Sequence, residues 1–233
     1  MKRVVTLSLI GLMFVAALSA VPRPAAAQGP ALISSVLNRM DRNRRDLKSL
    51  RSGLVMQKYN AQIRTEEMYE GDLQYVAGTA GNMNVRVDWS KPAREHLAVK
   101  NGLYKLFRPR LNIVYEGSTK SASKNTKVNN VLGFGLNMTG AQLKSRFDVE
   151  LVGEGNLYAD VYVTQLKLTP RGGAGYQYAE VWVDRSGMPV QTRVVERNGD
   201  FTTVRLMGVQ KNAAVPSSAF DLSLPAGVKV VKG

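Results

Sequence analysis

The chain has 233 residues and no cysteine, which excludes disulfide bridges, thiolate nucleophiles and thiolate metal sites. Its formal net charge is +14, a balance that favours anionic partners. Anionic lipid head groups and cell-wall polymers satisfy this preference as well as nucleic acid does.

The first 27 residues have the pattern of a secretory signal peptide. Lys2 and Arg3 precede an apolar run over 4–21, and the segment ends in Ala25-Ala26-Ala27. We expect cleavage after Ala27, which removes three basic residues and lowers the net charge by three, to +11. The remaining residues 28–233 are long enough to bury a core as a single domain. No later stretch is apolar enough to cross a bilayer.

Residues 30–50 have helical periodicity, and Pro30 suits a first helical turn. The apolar residues recur at spacings of three and four: Leu32, Val36, Leu37, Met40, Leu47 and Leu50. The opposite face is basic, with Arg39, Arg42, Arg45 and Lys48. This pattern predicts an amphipathic helix whose apolar stripe packs on the rest of the domain.

Short β-branched and aromatic runs follow, separated by glycine, asparagine or proline, and predict a meander of strands. The predicted strands are 54–63, 68–76, 82–89, 94–100, 103–108 and 111–116. Val85, Val87 and Trp89 alternate with Arg86 and Asp88, which predicts one dry face and one wet face. Asn101-Gly102 predicts a tight hairpin.

Residues 117–147 interrupt the strands with a polar stretch, an apolar stretch and a predicted helix. The helix spans 139–146, with Thr139 as its N-cap. A surface excursion does not ordinarily carry so many large apolar residues, namely Val131, Leu132, Phe134, Leu136, Leu143 and Phe147. We therefore expect this insertion to be a lid that covers an apolar surface, with the glycines beside Phe134 acting as hinges.

Five more strands are predicted at 147–152, 158–169, 176–184, 189–197 and 200–210. Asn198-Gly199 marks a hairpin, and the tail from Val215 is expected to pack back onto the sheet. About eleven strands are too many for a flat sheet with one solvated face. The predicted fold is α+β: a strongly curved antiparallel sheet, or incomplete barrel, covered by the N-terminal helix and the lid.

Catalytic chemistry is not indicated by the sequence. His96 is the single histidine, and no orienting acid or nucleophile is signalled beside it. The glycine-rich stretch 171–175 lacks the lysine and the following helix of a phosphate-binding loop. We therefore expect a binding protein with no catalytic residue, metal or other cofactor.

The chain resembles the LolA-type periplasmic carriers, which move lipoproteins from the inner to the outer membrane of double-membraned bacteria. The resemblance covers nearly the whole mature chain, and its most specific segment is 220–228. The other matching segments are 47–50, a first strand that closes on Gln57, 87–89 with Lys91-Pro92, Asn101-Gly102, 106–114, 132–135 and 147–149.

The resemblance implies an eleven-stranded half-barrel closed by helices, with acyl chains held in the apolar cavity between them. It also implies a periplasmic monomer with an inner-membrane donor complex and an outer-membrane acceptor. The family has an Arg-Pro pair before the tryptophan, whose arginine ties the lid to the barrel. At the corresponding position this chain has Asn82-Met83-Asn84-Val85-Arg86, which contains no Arg-Pro pair. Arg86 is a candidate substitute, but its alternation with Val85 and Val87 points it to the other face.

The predicted binding site is apolar and lies between the dry strand face and its cover. Its residues are Leu37, Met40, Val87, Trp89, Leu132, Phe134, Leu136, Leu143 and Phe147. The expected cargo is an acylated lipoprotein or a lipid, and nucleic acid is not expected as a partner. Two alternatives stay open: a periplasmic sensor of lipid or lipoprotein that regulates a membrane partner, and a module that binds an anionic cell-wall polymer.

Overall fold

A computed structural model describes residues 28–78, 83–119, 138–158 and 160–232. Two α-helices are present in these ranges, α1 (Gln28–Asp46) and α2 (Gly140–Arg146). The twelve strands are β1 (Ser49–Asn60), β2 (Thr65–Ala77), β3 (Met83–Lys91), β4 (Glu95–Lys100), β5 (Leu103–Arg108), β6 (Ile113–Ser118), β7 (Phe147–Asn156), β8 (Tyr162–Pro170), β9 (Tyr176–Asp184), β10 (Pro189–Glu196), β11 (Phe201–Lys211) and β12 (Lys229–Lys232).

All twelve strands belong to one curved sheet that does not close into a barrel. Their order is β12-β6-β5-β4-β3-β2-β1-β11-β10-β9-β8-β7, so that β12 and β7 form the two edges. Every neighbouring pair is antiparallel except β12 with β6, which is parallel. The predicted α+β class and curved sheet are confirmed, and β12 is an additional strand.

Two local signals in the sequence are confirmed, one at a hairpin turn and one at the start of a helix. Asn101 and Gly102 both have positive φ, 52° and 77°, as the tight hairpin between β4 and β5 requires. Thr139 caps α2 in a capping box: its hydroxyl accepts from the Gln142 backbone N–H, and the Gln142 side chain accepts from the Thr139 N–H.

The N-terminal helix is shorter than predicted, ending at Asp46 instead of residue 50. The cause is a contact that is distant in sequence. The Asn212 side chain accepts from the Lys48 backbone N–H at 2.8 Å and donates to the Asp46 carbonyl at 3.3 Å. Leu47 and Leu50 continue the apolar spacing of the helix, but Leu50 is a fully buried residue of β1. Tertiary pairing thus overrides the helical pattern at this point.

One face of the sheet, which we call the inner face, carries the buried apolar residues of most strands. Over β1 to β5 these residues form the dry face: Leu50, Leu54, Met56, Tyr69, Leu73, Tyr75, Val85, Val87, Trp89, Leu97, Val99, Tyr104 and Leu106. The opposite, outer face carries the alternating residues, such as Arg86 and Asp88. The predicted alternation along β3 is therefore confirmed.

The two helices cover the inner face at its other end, over β7 to β9. They form the helix-covered cluster: Val36, Leu37, Met40, Leu143, Phe147, Leu166, Leu168, Ala179, Val181 and Val183. Among the described residues, neither α1 nor α2 contributes a member to the cluster that contains the dry face. The sheet thus has two apolar regions on the same face, and the buried apolar residues of these helices pack on only one of them.

The C-terminal tail packs back onto the sheet, as predicted. The 3-10 turn Ser217–Phe220 contacts β3 and β4, and Phe220 is only 4% exposed. Ala98, Phe107 and Val114 on the outer face are also buried. The tail then reaches the sheet edge, where the Lys229 N–H donates to the Asn112 carbonyl at 3.0 Å and β12 begins.

Candidate ligand-binding face

The dry face is apolar across five neighbouring strands. In one row along the strand register, Leu73, Val87, Leu97 and Leu106 follow one another from β2 to β5, and each is at most 5% exposed. The next row contains Tyr75, Val85, Val99 and Tyr104. These residues are already buried, so an apolar molecule would have to take the place of whatever covers them; it would then be held by burial alone, at roughly 25 cal/mol per Å².

The structure divides the predicted site residues between the two apolar regions. Val87 and Trp89 lie on the dry face, as predicted. The other four described residues, Leu37, Met40, Leu143 and Phe147, belong to the helix-covered cluster and pack over β7 to β9. Leu132, Phe134 and Leu136 lie outside the described residues. Among the described residues, therefore, Val87 and Trp89 are not brought together with the predicted cover.

A polar row borders the dry face. The strand register places Trp89 of β3 beside Glu95 of β4, and Arg108 follows at the end of β5. Arg108 Nε lies 3.4 Å from Glu95 Oε1, and the Arg108 guanidinium lies 5.1 Å from the centre of the Tyr115 ring. The Glu95 side chain is 13% exposed and the Arg108 side chain 31%, so this ion pair is partly shielded from water.

Tyr69 joins the polar row from β2, with its ring centre 6.0 Å from that of Trp89 in an edge-to-face arrangement. Burial, together with a hydrogen bond from its hydroxyl to Glu67 at 2.5 Å, raises the pKa of Tyr69 to about 12. Its phenol is therefore a protonated donor at every physiological pH. Sequence reasoning did not select Glu95, Arg108 or Tyr69, although extending the alternation of β3 to its neighbours would have placed Glu95 beside Trp89.

The outer face of the same strands carries a charged cluster of Arg86, Asp88 and His96. Arg86 Nε donates to Asp88 Oδ1 at 2.8 Å, and His96 Nδ1 lies 2.5 Å from the same oxygen. The His96 ring stacks on Phe107, with 6.3 Å between the ring centres. The expectation that Arg86 points away from the dry face is confirmed, whereas an acid does lie beside His96. The hairpin register, Asp88 opposite His96, is the signal that would have shown it.

Two opposing effects determine the pKa of the Asp88 carboxyl. Burial alone would raise its pKa, but hydrogen bonds from Arg86 and His96, with their charges, hold the pKa below the ordinary value. A depressed folded-state pKa contributes stability that is present above the unfolded value of about 3.9 and is lost as the pH falls through the folded value.

Replacing Asp88 with Asn is therefore expected to destabilise the protein at pH 7 by less than about 1 kcal/mol, since the carboxyl is partly exposed to screening solvent. The difference from the unsubstituted protein should shrink below about pH 4. Urea unfolding across this pH range measures it. Asp148→Asn, which affects a more exposed pair with Arg171, is the control. A stability difference for Asp88→Asn that persists unchanged at about pH 2 would contradict the assignment.

A cavity of about 570 Å³ lies between strands β4 to β6 and the C-terminal tail. Ala98, Leu103, Phe220 and Leu222 supply its apolar lining. Its three lysines are each paired with an acid: Lys100 with Asp221, and Lys105 and Lys232 with Glu116. Because the three lysines share two carboxylates, only one positive charge is left unbalanced, and the cavity does not present a strong field to an anion.

Within the described residues, no group of three or more histidine, aspartate or glutamate side chains is placed to hold a metal ion. No helix in the same part of the chain is both long and apolar enough to span a membrane.

Comparison with known proteins shows the family to which the chain belongs. A sequence profile described as outer membrane lipoprotein carrier protein LolA matches residues 83–223. This segment is more than half of the chain, and it contains the dry strands β3 to β5, the helix α2 and the tail with Phe220. The chain belongs to the LolA family. A comparison of its sequence with curated proteins gave no match.

Solved structures share the fold of this LolA-family protein at low sequence identity. A conserved protein from Thermus thermophilus matches with a TM-score of 0.54 and 12% identity, over 86% of this chain and 98% of the other. A chain of the Pseudomonas aeruginosa MucA/MucB complex matches with a TM-score of 0.51 and 18% identity, over 82% of this chain. MucB in complex with MucA(peri) matches with a TM-score of 0.51 and 19% identity, over 85%.

The present chain spans only 61% and 62% of the length of the two matched chains from the MucA and MucB structures. At these identities the matches show the fold alone. The sequence profile assigns the family, and the structural matches show that the fold extends over most of the chain.

Proposed function

We propose that this LolA-family protein binds the acyl chains of a lipoprotein or lipid on its dry face and carries them between the inner and outer membranes. The main support is the dry face itself, which is apolar over five strands and contains no residue from the two described helices. Acyl chains bind such a surface without directional contacts, and a few hundred Å² of burial contributes several kcal/mol before ordering costs. An interaction of that size is firm yet reversible.

In this proposal the protein is exported by the segment 1–27 and acts as a monomer of residues 28–233 in the periplasm. A donor complex of the inner membrane loads it, and an acceptor at the outer membrane unloads it. Val87 and Trp89 contact the cargo, whereas Leu37, Met40, Leu143 and Phe147 support the sheet from the helix-covered cluster.

Lipid retained by the purified protein tests the proposal directly. The mature chain is purified from cells without detergent, and extracted material is analysed by mass spectrometry. We expect acylated peptides or lipids in amounts comparable to the protein. A preparation with neither would count against a carrier.

A matched pair of substitutions tests which apolar region binds the cargo. Leu106 and Leu168 are both at most 1% exposed, but Leu106 lies on the dry face and Leu168 lies under the helices. Phe at either position overpacks the interior at a cost of about 1 to 3 kcal/mol. We expect Leu106→Phe to weaken binding of a fluorescent fatty-acyl probe at least about ten-fold, and Leu168→Phe to leave it within about two-fold. If both substitutions weaken binding of the probe equally, the probe does not bind on the dry face.

A sensor is the second candidate, favoured by the shared fold with MucB, which was solved in complex with MucA(peri). A sensor of this shape would bind lipid or lipoprotein and change its contact with a membrane partner. Affinity purification of the tagged protein from a membrane extract separates the two. Recovery of a transmembrane signalling protein whose binding is altered by added lipid favours the sensor, and recovery of an outer-membrane acceptor favours the carrier.

A further inference from the structure

Trp89 places a buried polar atom next to the apolar rows of the dry face. Its side chain is 2% exposed, and its indole Nε1–H has no hydrogen-bond partner among the residues that the structure describes. The indole N–H can only donate, so it needs an acceptor that the described residues do not supply. A buried donor left unpaired costs free energy, and each such group in a native protein calls for an explanation.

The neighbours of Trp89 indicate where a ligand's polar end would lie. Glu95 is directly opposite Trp89 on β4, and Arg108 lies beside Glu95. Arg108 Nε is also buried and makes no hydrogen bond within the described ranges, because its contact with Glu95 is an ion pair without hydrogen-bond geometry. Two unused donors thus border the dry face in one row, and the neighbouring row of Val87, Leu97 and Leu106 is apolar.

The charges of this row favour a neutral acceptor. The Glu95 carboxylate balances the Arg108 guanidinium and lies next to Trp89, so a ligand carboxylate would meet a like charge. A carbonyl oxygen of an ester or amide accepts a hydrogen bond and adds no charge. Such a carbonyl is present where an acyl chain joins glycerol or an amino group.

We propose that Trp89 Nε1 donates a hydrogen bond to the carbonyl oxygen of an ester- or amide-linked acyl chain that lies along the dry face. This inference rests on the proposed function and names the polar group that positions the cargo. The chain then extends over the apolar row of Val87, and the carbonyl faces the row of Trp89, Glu95 and Arg108. Lipoproteins and phospholipids share this chemistry.

The indole N–H resonances provide the test, because the chain has only two tryptophans, Trp89 and Trp182. Trp182 is a matched control: it alternates with Val181 on β9, and its ring lies 5.7 Å from the Arg193 guanidinium. The mature protein, labelled with ¹⁵N-tryptophan and freed of lipid, is titrated with a long-chain methyl ester and with an alkane of the same length. Trp182→Phe assigns the two signals.

We expect the ester to move the Trp89 N–H proton downfield, as hydrogen bonding does, and the alkane to bind without that shift. Trp89→Phe keeps an aromatic ring but removes the donor. It should weaken ester binding about five-fold, the contribution of one ordinary hydrogen bond, and leave alkane binding unchanged. Trp182→Phe should change neither affinity.

The experiment distinguishes failure of the hydrogen-bond proposal from failure of the proposed function. Ester binding that leaves the Trp89 N–H unmoved, or a Trp89→Phe effect equal for ester and alkane, would overturn the hydrogen bond and leave the carrier proposal standing. If neither ligand binds, the proposed function fails as well. Repeating the titration with a diacylated lipopeptide and with a phospholipid identifies the source, since the physiological cargo should shift the same resonance at the lower concentration.

Discussion

Replacing Gly187 with alanine is expected to destabilise the protein by about 4 kcal/mol or more, an exceptionally large effect for a single added methyl group. Gly187 lies in the turn between β9 and β10 with φ of 85°, a conformation that costs an L-residue about 1 to 2 kcal/mol. In addition, a Cβ there would lie within 3 Å of the Arg39 carbonyl and the Met40 nitrogen of α1. Because these are backbone atoms, the turn or the helix must move.

The contacts around Gly187 explain why movement is costly. Asp184 Oδ1 accepts from the backbone N–H groups of Ser186 and Met188, which holds the turn rigid. The Asn43 side chain of α1 contacts the buried Met188 sulfur at 3.4 Å and accepts from Lys211 Nζ at 3.1 Å. Displacing α1 would therefore also disrupt the helix-covered cluster.

Urea unfolding measures the effect, with Gly227→Ala as the control. Gly227 also has positive φ, 75°, but no atom lies within 4 Å of a Cβ built there. We expect Gly227→Ala to cost only about 1 to 2 kcal/mol, the conformational part of the penalty. If the two substitutions lower the free energy of unfolding equally, α1 does not pack as closely against the β9–β10 turn as the structure shows.

Replacing Phe220 with alanine is expected to cost about 3 kcal/mol, because Phe→Ala changes in a core leave a cavity and lose apolar burial. Phe220 is 4% exposed and anchors the tail on the outer face near β3 and β4. The ion pair of Lys100 with Asp221 cannot hold the tail by itself, because both side chains are largely exposed. Urea unfolding of the variant measures the loss.

Hydrogen exchange over 217–232 provides the more specific readout for the tail. We expect Phe220→Ala to increase the exchange of β12 amides, which depend on the tail to stay beside β6. Leu222→Ala, at a half-buried neighbouring position, is the control and should cost about 1 kcal/mol. Unchanged exchange in Phe220→Ala would show that β12 is held independently of the anchor.

Local sequence signals predicted most elements because their causes are local. Asn101-Gly102 supplies two residues that tolerate positive φ, and Thr139 with Gln142 satisfies the first N–H groups of α2. The alternation along β3 correctly predicted that Val87 and Trp89 lie on one face of the sheet and Arg86 and Asp88 on the other, because successive side chains of a strand point to opposite faces.

Local signals of this kind did not predict the contacts between segments that are distant in the chain. The parallel pairing of β12 with β6 joins segments that are far apart in the chain, and the short sequence of β12 does not identify a partner. The end of α1 depends on Asn212, which is equally remote. For the same reason the sequence did not separate the described site residues into the dry face and the helix-covered cluster: apolar patterning indicates burial, but it does not specify which apolar surfaces meet.

By itself, the sequence determined that this chain is a basic, cysteine-free, mainly antiparallel β protein with a dry strand face and a capped helix, because periodicity and turn chemistry act within a few residues. Only the tertiary structure decided that α1 and α2 cover β7 to β9, that Trp89 lies beside Glu95 and Arg108, and that the tail packs on the outer face near β3 and β4. Those outcomes depend on strand order and register, which arise when the whole sheet packs and which no short segment encodes.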